Sequence, residues 1–353
     1  MKICIFLPSI GYGGAEINLK RIGEFLAKKG FKIVFVIAKT VKLEQTFNNQ
    51  ENLEYIFLNS KKTLLSFNKL RKTINQSKPN IVLSTLPTSN LLVVLLKYLK
   101  LINCKIIIRE ANSNFLNWQG SIKNIIKKKL ALFTFNNSDG NIFISNELRD
   151  NVEKNIKNKK NIVIYNPVFT DDFYDKANER VAEFVKTKEL WVTTSRLENQ
   201  KGLDLFFDSI PNLLTNRDFE VLVVGDGGLL EKFSEQYSSL PITFLGNVDN
   251  PIKFLNLADV FVFPSRREGL GNSLIEAQIL GLEVVSSDCP SGPKEIINLF
   301  SNGKLFKANN KESFYEVANS IKNLERKIVD QKIIEEFKLE KIANNYLDFL
   351  IQS

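Results

Sequence analysis

A chain of 353 residues, 44% hydrophobic and 25% charged, has the length for two domains and the composition of a globular protein, which excludes a disordered one. Its formal net charge of +9 favours anionic partners such as nucleotide diphosphates or acidic lipid headgroups; with no zinc-finger spacing or RRM-like aromatic signature, no nucleic acid partner is expected. Histidine is absent and the three cysteines, Cys4, Cys104 and Cys289, are scattered, which excludes histidine-based triads and histidine-ligated metals and leaves acid–base work to carboxylates, lysines, tyrosines or the substrate.

Residues 2–7, KICIFL, read as a buried first strand; the apolar run stops at Pro8, too soon for a signal peptide. The Gly11-Tyr12-Gly13-Gly14 turn follows, then a helix with Leu19, Ile22 and Leu26 on one face. Strand, glycine loop and helix open a nucleotide-type βαβ unit, although the loop lacks the GxGxxG spacing and reads equally as a phosphate contact or a plain tight turn. Further strands are expected at Phe31–Ile37, Leu53–Leu58, Ile81–Ser84, Lys105–Ile108, Asn141–Ile144 and Ile162–Ile164, with helices near 63–77, 88–101, 119–134 and 146–157. That alternation predicts a parallel sheet covered on both faces.

The strand Lys105–Ile108 runs into Arg109-Glu110-Ala111-Asn112, polar residues where such sheets hold ligands; an ion pair that shapes the loop is the alternative. Next, Ile122, Ile125, Ile126, Leu130 and Phe133 form an apolar stripe flanked by Lys123, Lys127, Lys128 and Lys129. The pattern fits a membrane-surface helix or a core-facing helix with a solvated basic back. No run is long enough to span a membrane: the best, Leu91 to Leu101, is broken by Lys97 and Lys100. With the scattered cysteines this places the protein in a reducing cytoplasm.

Tyr165-Asn166-Pro167-Val168 breaks the pattern, giving a first domain of 1–167 and a second of 168–335. In the second, Glu189–Thr194 leads to Ser195-Arg196-Leu197-Glu198-Asn199-Gln200-Lys201-Gly202. The strand with Val221, Val223 and Val224 ends in Gly225-Asp226-Gly227-Gly228, and Ile242–Leu245 ends in Gly246-Asn247-Val248. Ala258–Pro264 enters a loop with Glu268, and Glu283–Ser286 leads to Asp288 and Ser291-Gly292-Pro293. Residues 336–353 are expected to form a final helix whose Leu339, Ile342, Tyr346, Phe349 and Leu350 share a face and pack back on the first domain.

The stretch Ser265 to Gly281, SRREGLGNSLIEAQILG, carries two carboxylates, Glu268 and Glu276, with seven residues between them. Asn272 and Ser273 are N-cap types and Gly281 a C-terminal stop, so the loop delivers Glu268 and the helix's first turn Glu276, while Gly269 and Gly271 expose backbone N–H groups at a positive helix end. Arg196 and Lys201 sit five apart across a turn, a guanidinium fork and a compact ammonium that suit a diphosphate and its developing charge. Since a carboxylate can take two hydroxyls at once, the set reads as a nucleotide-sugar site: ribose at Glu276, hexose at Glu268, diphosphate at Arg196 and Lys201.

These motifs resemble retaining glycosyltransferases of family 4. The resemblance is carried by Gly13-Gly14-Ala15-Glu16, Ser195-Arg196-Leu197 with Lys201-Gly202, Gly225-Asp226-Gly227, the Glu268/Glu276 pair in EGLGNSLIEA, and Cys289-Pro290-Ser291-Gly292-Pro293-Lys294-Glu295. It implies an α/β GT-B fold, two facing Rossmann-like domains with parallel sheets and a deep interdomain cleft. It further implies catalytic Glu268, Arg196 and Lys201, and donor contacts from Glu276, Gly225 and the run Gly269, Leu270, Gly271, Asn272, Ser273, Leu274. Gly13 and Gly14 would approach phosphate and acceptor, the base would lie near Gly246, Asn247 and Val248, and no metal or other cofactor would be needed. Many relatives place a histidine in the first domain's active-site region; here Glu16, Arg109, Glu110 and Asn112 remain on the acceptor side.

The wording of CPSGPKEII and GGAE resembles bacterial members that build lipopolysaccharide, capsule or lipid-linked oligosaccharides. That implies a UDP-sugar donor, a UDP-hexose or UDP-N-acetylhexosamine, a saccharide or lipid-linked acceptor, and peripheral contact with anionic inner-membrane lipids on the cytoplasmic face. A sugar-nucleotide epimerase or hydrolase on the same fold, or a non-catalytic partner subunit, are the rival expectations. A dehydrogenase would leave the second-domain polar set without a role.

Overall fold

The strands of this protein are apolar on both faces, which is what a sheet covered on both sides requires. The computed structural model describes residues 1–10, 13–39, 47–112, 122–158, 160–322 and 324–352. Gly11, Tyr12 and residues 119–121 of the expected fourth helix lie outside them. The strands are β1 (Lys2–Leu7), β2 (Lys32–Ile37), β3 (Leu53–Phe57), β4 (Ile81–Thr85), β5 (Lys105–Glu110), β6 (Gly140–Phe143) and β7 (Asn161–Val163), then β8 (Glu189–Thr194), β9 (Phe219–Val224), β10 (Ile242–Gly246), β11 (Val260–Phe263), β12 (Glu283–Ser287) and β13 (Lys304–Phe306). Between and after them run helices α1 (Gly14–Lys28), α2 (Phe67–Ser77), α3 (Pro87–Tyr98), α4 (Ile122–Asn137), α5 (Asn146–Glu153), α6 (Phe173–Ala177), α7 (Leu203–Phe207) and α8 (Ile210–Leu213). The rest are α9 (Leu230–Gln236), α10 (Ile252–Leu255), α11 (Asn272–Ile279), α12 (Pro293–Phe300), α13 (Lys311–Asn319), α14 (Gln331–Glu335) and α15 (Leu339–Gln352).

Two all-parallel sheets result. The first has the order β3-β2-β1-β4-β5-β6-β7 and the second β10-β9-β8-β11-β12-β13. In each, the chain starts in mid-sheet, works outward one way, then returns and works outward the other way. This order creates a reversal point, at β1/β4 and at β8/β11, where the loops beyond the strand ends diverge and leave room for a ligand. The contacts divide the chain into one unit of Met1–Pro167 with Phe337–Ser353 and a second of Val168–Glu336.

The first unit's core joins Ile3, Ile5, Leu7, Phe35 and Leu83 of the strands to Leu19 and Ile22 of α1, and it includes Ile342, Ala343, Tyr346 and Leu350 of α15. The second packs Trp191, Val221, Val223, Val260 and Val262 against Leu203, Phe206, Phe207 and Phe314. A Cβ added at Gly140 would come within 2.8 Å of the Phe349 ring, so α15 lies on the start of β6 at a distance that only glycine allows.

The N-terminal part of the stripe on α4 is exposed. Ile122 is 77% exposed, Ile125 49%, Ile126 53% and Leu130 43%. The fifth residue of the stripe, Phe133, is half-buried and meets the Tyr98 ring edge-on at 5.1 Å, so the stripe passes from solvent to packing along the helix. Among the described residues no helix is long and apolar enough to cross a membrane.

Candidate active site

Lys201 follows β8 in a short 3-10 turn, Asn199–Lys201, and Glu268 lies in the loop after the neighbouring strand β11. Backbone packing holds the two loops together. Gly202 has φ +64° and a Cβ there would lie 2.2 Å from the Pro264 carbonyl oxygen, so no other residue fits without displacing the turn. The Arg266 N–H donates to the Gln200 carbonyl at 2.8 Å, and the Gln200 amide donates to the Arg267 carbonyl at 2.9 Å.

The consequence is a buried charge pair. Lys201 Nζ stands 2.6 Å from Glu268 Oε1, and Ser265 Oγ donates to the same oxygen at 2.7 Å. The two side chains are only 15% and 10% exposed. Charges so far out of water persist only when paired and hydrogen-bonded, and both conditions are met here. The ammonium also lies 5.9 Å over the Phe263 ring.

From the other side, β12 braces the loop. Ser287 Oγ donates to the Ser265 carbonyl at 2.6 Å and Ser291 Oγ to the Gly269 carbonyl at 3.0 Å. Gly292, at φ +100°, approaches so closely that a Cβ would fall 2.6 Å from the Leu270 Cα. Burial pushes the Cys289 thiol up to about 12, and the Glu268 carboxylate adds to the effect, so this cysteine is an inert neighbour of the site.

The helix after the loop differs from the sequence expectation in two respects. Its N-cap is Gly271, at φ +87°, with no side-chain cap, and Asn272 is the first helical residue. The left-handed conformation and a Phe263 ring 2.9 Å from where a Cβ would sit favour glycine at position 271, and Asn272 and Ser273 already lie inside the helix. Glu276 is accordingly the fifth residue of α11 and not in its first turn, which contains no acidic side chain. It is half-buried, as is Ser273, whereas the Leu270 and Leu274 side chains lie in the interior. Gly281, at φ +72°, is the stop the sequence implies, set against the Lys327 carbonyl.

Arg196 is exposed and pairs with Glu198 at 3.0 Å, outside the Lys201–Glu268 cluster. Its loop is fixed by the Ser195 N–H donating to the Val224 carbonyl and the Leu197 N–H to the Asp226 carbonyl, both at 3.0 Å. Gly225 makes that fit possible, since a Cβ would meet the Ser195 carbonyl at 2.0 Å. Its N–H donates to the Gly246 carbonyl at 2.8 Å, and beyond Gly246 Asn247 is exposed and Val248 half-buried.

In the first unit, Gly13 precedes α1 and Gly14 is its first residue. The Glu16 carboxylate curls back so closely that a Cβ on Gly13 would sit 2.1 Å from Oε2. Arg109 and Glu110 do not pair with each other among the described residues. Arg109 is 1% exposed and donates to Asn166 Oδ1 at 2.5 Å and Thr85 Oγ1 at 3.4 Å. Glu110, 5% exposed, accepts the Asn112 N–H at 3.0 Å. Burial raises its carboxyl from 4.5 to about 7, against the opposing pull of that hydrogen bond and the Arg109 charge. The loop is therefore shaped by two separate sets of hydrogen bonds.

The sequence reading missed Ser265, Asp204 and Arg266. Arg266 grips Asp204 as a fork, Nη1 to Oδ1 at 2.8 Å and Nη2 to Oδ2 at 2.6 Å, and also donates to the Asn199 carbonyl at 2.6 Å. Burial pushes the Asp204 carboxyl up, yet that fork more than offsets it and holds the group below its ordinary range. Ser265 and Arg266 flank Glu268 in the sequence, which was a usable signal; nothing in the spacing links Asp204 to Arg266. Arg266→Ala is expected to lower turnover about tenfold by loosening the Lys201 turn, since small misplacements near the chemistry are expensive. Because the pair is about a third exposed, a urea midpoint should record only about 1 kcal/mol of lost stability. Unchanged turnover would show that the turn is held without Arg266.

Comparison with known proteins accords with this geometry. Two uncharacterised glycosyltransferases of Methanocaldococcus jannaschii are 28% and 29% identical to the chain over 65% and 56% of its length. The matches span 60% and 55% of those relatives, less than two thirds. The N-acetylgalactosamine-N,N'-diacetylbacillosaminyl-diphospho-undecaprenol 4-alpha-N-acetylgalactosaminyltransferase of Campylobacter jejuni is 23% identical over 99% of both chains. The crystal structure of Anabaena HepE in complex with UDP superimposes with a TM-score of 0.73 at 16% identity over 100% of both chains, a likeness that shows the GT-B fold alone. The model described as Glycosyltransferase Family 4 matches residues 12–172, and the one described as Glycosyl transferases group 1 matches residues 188–323. With both units matched in order and Lys201 and Glu268 brought together at the second sheet's reversal point, the chain belongs to the family 4 glycosyltransferases.

Proposed function

We propose that this protein moves a sugar, with retention of configuration, from a nucleotide diphosphate donor to a saccharide on a lipid carrier, in the synthesis of a bacterial surface glycan. The observation that carries the reading is the buried Lys201–Glu268 pair, held 2.6 Å apart beside the reversal point of a parallel sheet. A structural pair gains little from such burial compared with apolar packing, whereas a site that must meet charge and hydroxyls needs both groups in place.

In this reading the donor diphosphate lies against Lys201 and Arg196, Glu276 takes the ribose hydroxyls and Glu268 those of the sugar. As the bond between the anomeric carbon and the phosphate oxygen breaks, charge gathers on the departing diphosphate and the two cations offset it, so no metal is required. The acceptor hydroxyl forms the new bond on the same face and its proton passes to the departing phosphate oxygen. A UDP-hexose or UDP-N-acetylhexosamine is the preferred donor, in line with the N-acetylgalactosaminyl transfer named for the Campylobacter relative and the UDP bound to the Anabaena protein. The diphospho-undecaprenol in the former's name supports a lipid carrier, and the lysines and exposed isoleucines of α4 support peripheral attachment at the cytoplasmic face of the membrane.

The test is ligand-observed NMR against UDP- and GDP-sugars without added metal, followed by assay of free nucleotide when lipid-linked acceptor is supplied. Binding with release only in the presence of acceptor is the expected result. Release without acceptor would favour a hydrolase or epimerase, and no binding would favour a non-catalytic partner. In calorimetry, Glu276→Ala should weaken UDP binding about tenfold or more, the value of a lost charge-assisted hydrogen bond to ribose; an unaltered Kd would remove Glu276 from the donor site.

A further inference from the structure

Between Tyr55 and Ser138 the chain carries fourteen lysines and arginines against a single acidic residue, Glu110. The elements spelled by this stretch enclose a cavity of about 370 Å³, inside the first unit and apart from the Lys201–Glu268 cluster. Cavities of ~300–1,000 Å³ are the usual size of small-ligand sites.

The cavity has a direction. One wall is α4, which presents Lys127, Leu130, Ala131 and Thr134, residues at i, i+3, i+4 and i+7 and so on one helical face. Pro87 and Leu91 of α3 line it as well, while Thr88, Asn90 and Glu110 supply polar atoms. Leu64, from the 3-10 turn Thr63–Ser66, completes the lining and is itself 57% exposed, with Leu65 beside it at 66%. Toward the N-terminus of α4 the same face continues as Lys123 and Ile126, where the lysine is exposed and the isoleucine 53% exposed. Lys61 and Lys62, both exposed, precede the turn that carries Leu64. An apolar interior thus opens among exposed leucines, an isoleucine and lysines.

We propose that this cavity binds the hydrocarbon chain of a lipid phosphate, with the phosphate held outside by Lys123 and Lys127. The chain's occupancy buries apolar surface against Leu64, Leu91, Leu130 and Ala131, and the phosphate meets the positive charge of the exposed Lys123 and Lys127. Glu110 is no obstacle, because a carboxyl that titrates near 7 is largely neutral in mildly acidic solution and can serve as a hydrogen-bond donor. The inference rests on the lipid-carrier reading of the acceptor and gives that carrier its seat.

Direct binding tests it without any sugar transfer. Farnesyl phosphate is titrated calorimetrically into the full chain with UDP present to occupy the second unit, in parallel with farnesol and with inorganic phosphate. Saturable binding of farnesyl phosphate, at least tenfold tighter than either fragment, is expected. Ala131→Trp, which fills the cavity, should weaken it tenfold or more, and Lys123→Gln with Lys127→Gln should weaken it about tenfold and flatten its salt dependence. Leu64→Glu, at an exposed position, provides a second probe should Ala131→Trp fail to fold. Wild-type affinity in a folded Ala131→Trp or Leu64→Glu protein overturns the proposal, as does inorganic phosphate binding as tightly as farnesyl phosphate or no binding at all. Nucleotide release on adding lipid-linked acceptor, measured on the same protein, reports separately on the lipid-carrier reading, so the two can fail independently.

Discussion

Lys201→Ala is expected to reduce sugar transfer by about 10²–10³-fold, the usual loss when one preorganised donor to a developing negative charge is removed. The effect should fall on kcat more than on KM, because the charge on the departing diphosphate is largest in the transition state. Two contributions must be separated. The substitution removes a cation from the diphosphate, and it also leaves the Glu268 carboxylate, 9% exposed, with the Ser265 hydroxyl as its remaining hydrogen-bond donor in that cluster. Breaking a buried pair costs about 3–5 kcal/mol where nothing compensates, so part of the sample could unfold and mimic a catalytic defect. Urea titration of the variant, and kinetics corrected to the folded fraction, resolve this. A Lys201→Ala, Glu268→Gln double variant removes the stranded charge and should recover stability without recovering turnover. If Lys201→Ala turns over like the wild type, Lys201 has no part in the donor site.

The second large effect concerns pH. Glu110 is a carboxyl whose value rises from 4.5 to about 7 on folding because it is buried between the end of β5 and the cavity, a rise that the Asn112 and Ala111 N–H groups and the Arg109 charge only partly oppose. Between those two values the folded protein keeps a proton that the unfolded chain has released. Stability from this group is therefore complete below about 4.5, declines as pH increases, and is lost above about 7. The full decline amounts to about 3 kcal/mol at most. Glu110→Gln, similar in shape and neutral throughout, should abolish it: the variant gains on the wild type as the solution is taken from pH 5 to pH 8. Comparing the two proteins by urea unfolding at each pH cancels every group they share. Parallel pH profiles would mean that Glu110 is ionised in the folded protein at pH 5 as well.

How far the sequence led depended on whether a feature is local. The strands were legible because KICIFL, KIVFVI or VFVF can hardly be anything but buried strands, and the polar residues that follow them marked where the strands end. The cap of α11 was misplaced because Asn272 is a good capping residue in general, whereas the helix already includes Asn272 and its cap is Gly271, fitted against the Phe263 ring across the loop. The contact of Lys201 with Glu268 spans 67 residues and arises from the adjacency of β8 and β11, which no spacing rule encodes. Asp204 and Arg266 were missed for the same reason. On α4, the stripe of Ile122, Ile125, Ile126 and Leu130 has helical spacing whether it meets a core or solvent, so only the fold could decide between them. The Glu110 cavity has walls from separate segments and left no trace in any single one.

The last helix has a bearing on how the protein is made. Ile342, Ala343, Tyr346 and Leu350 belong to the core of the unit whose strands emerge first, yet an entire second unit is synthesised before they appear. The nascent first unit must wait on the ribosome with a vacant apolar slot against α1, while the second, Val168–Glu336, is uninterrupted in sequence and free to complete itself. Vectorial synthesis therefore inverts the expected order of maturation: the half of the molecule that is translated first is the half that finishes last.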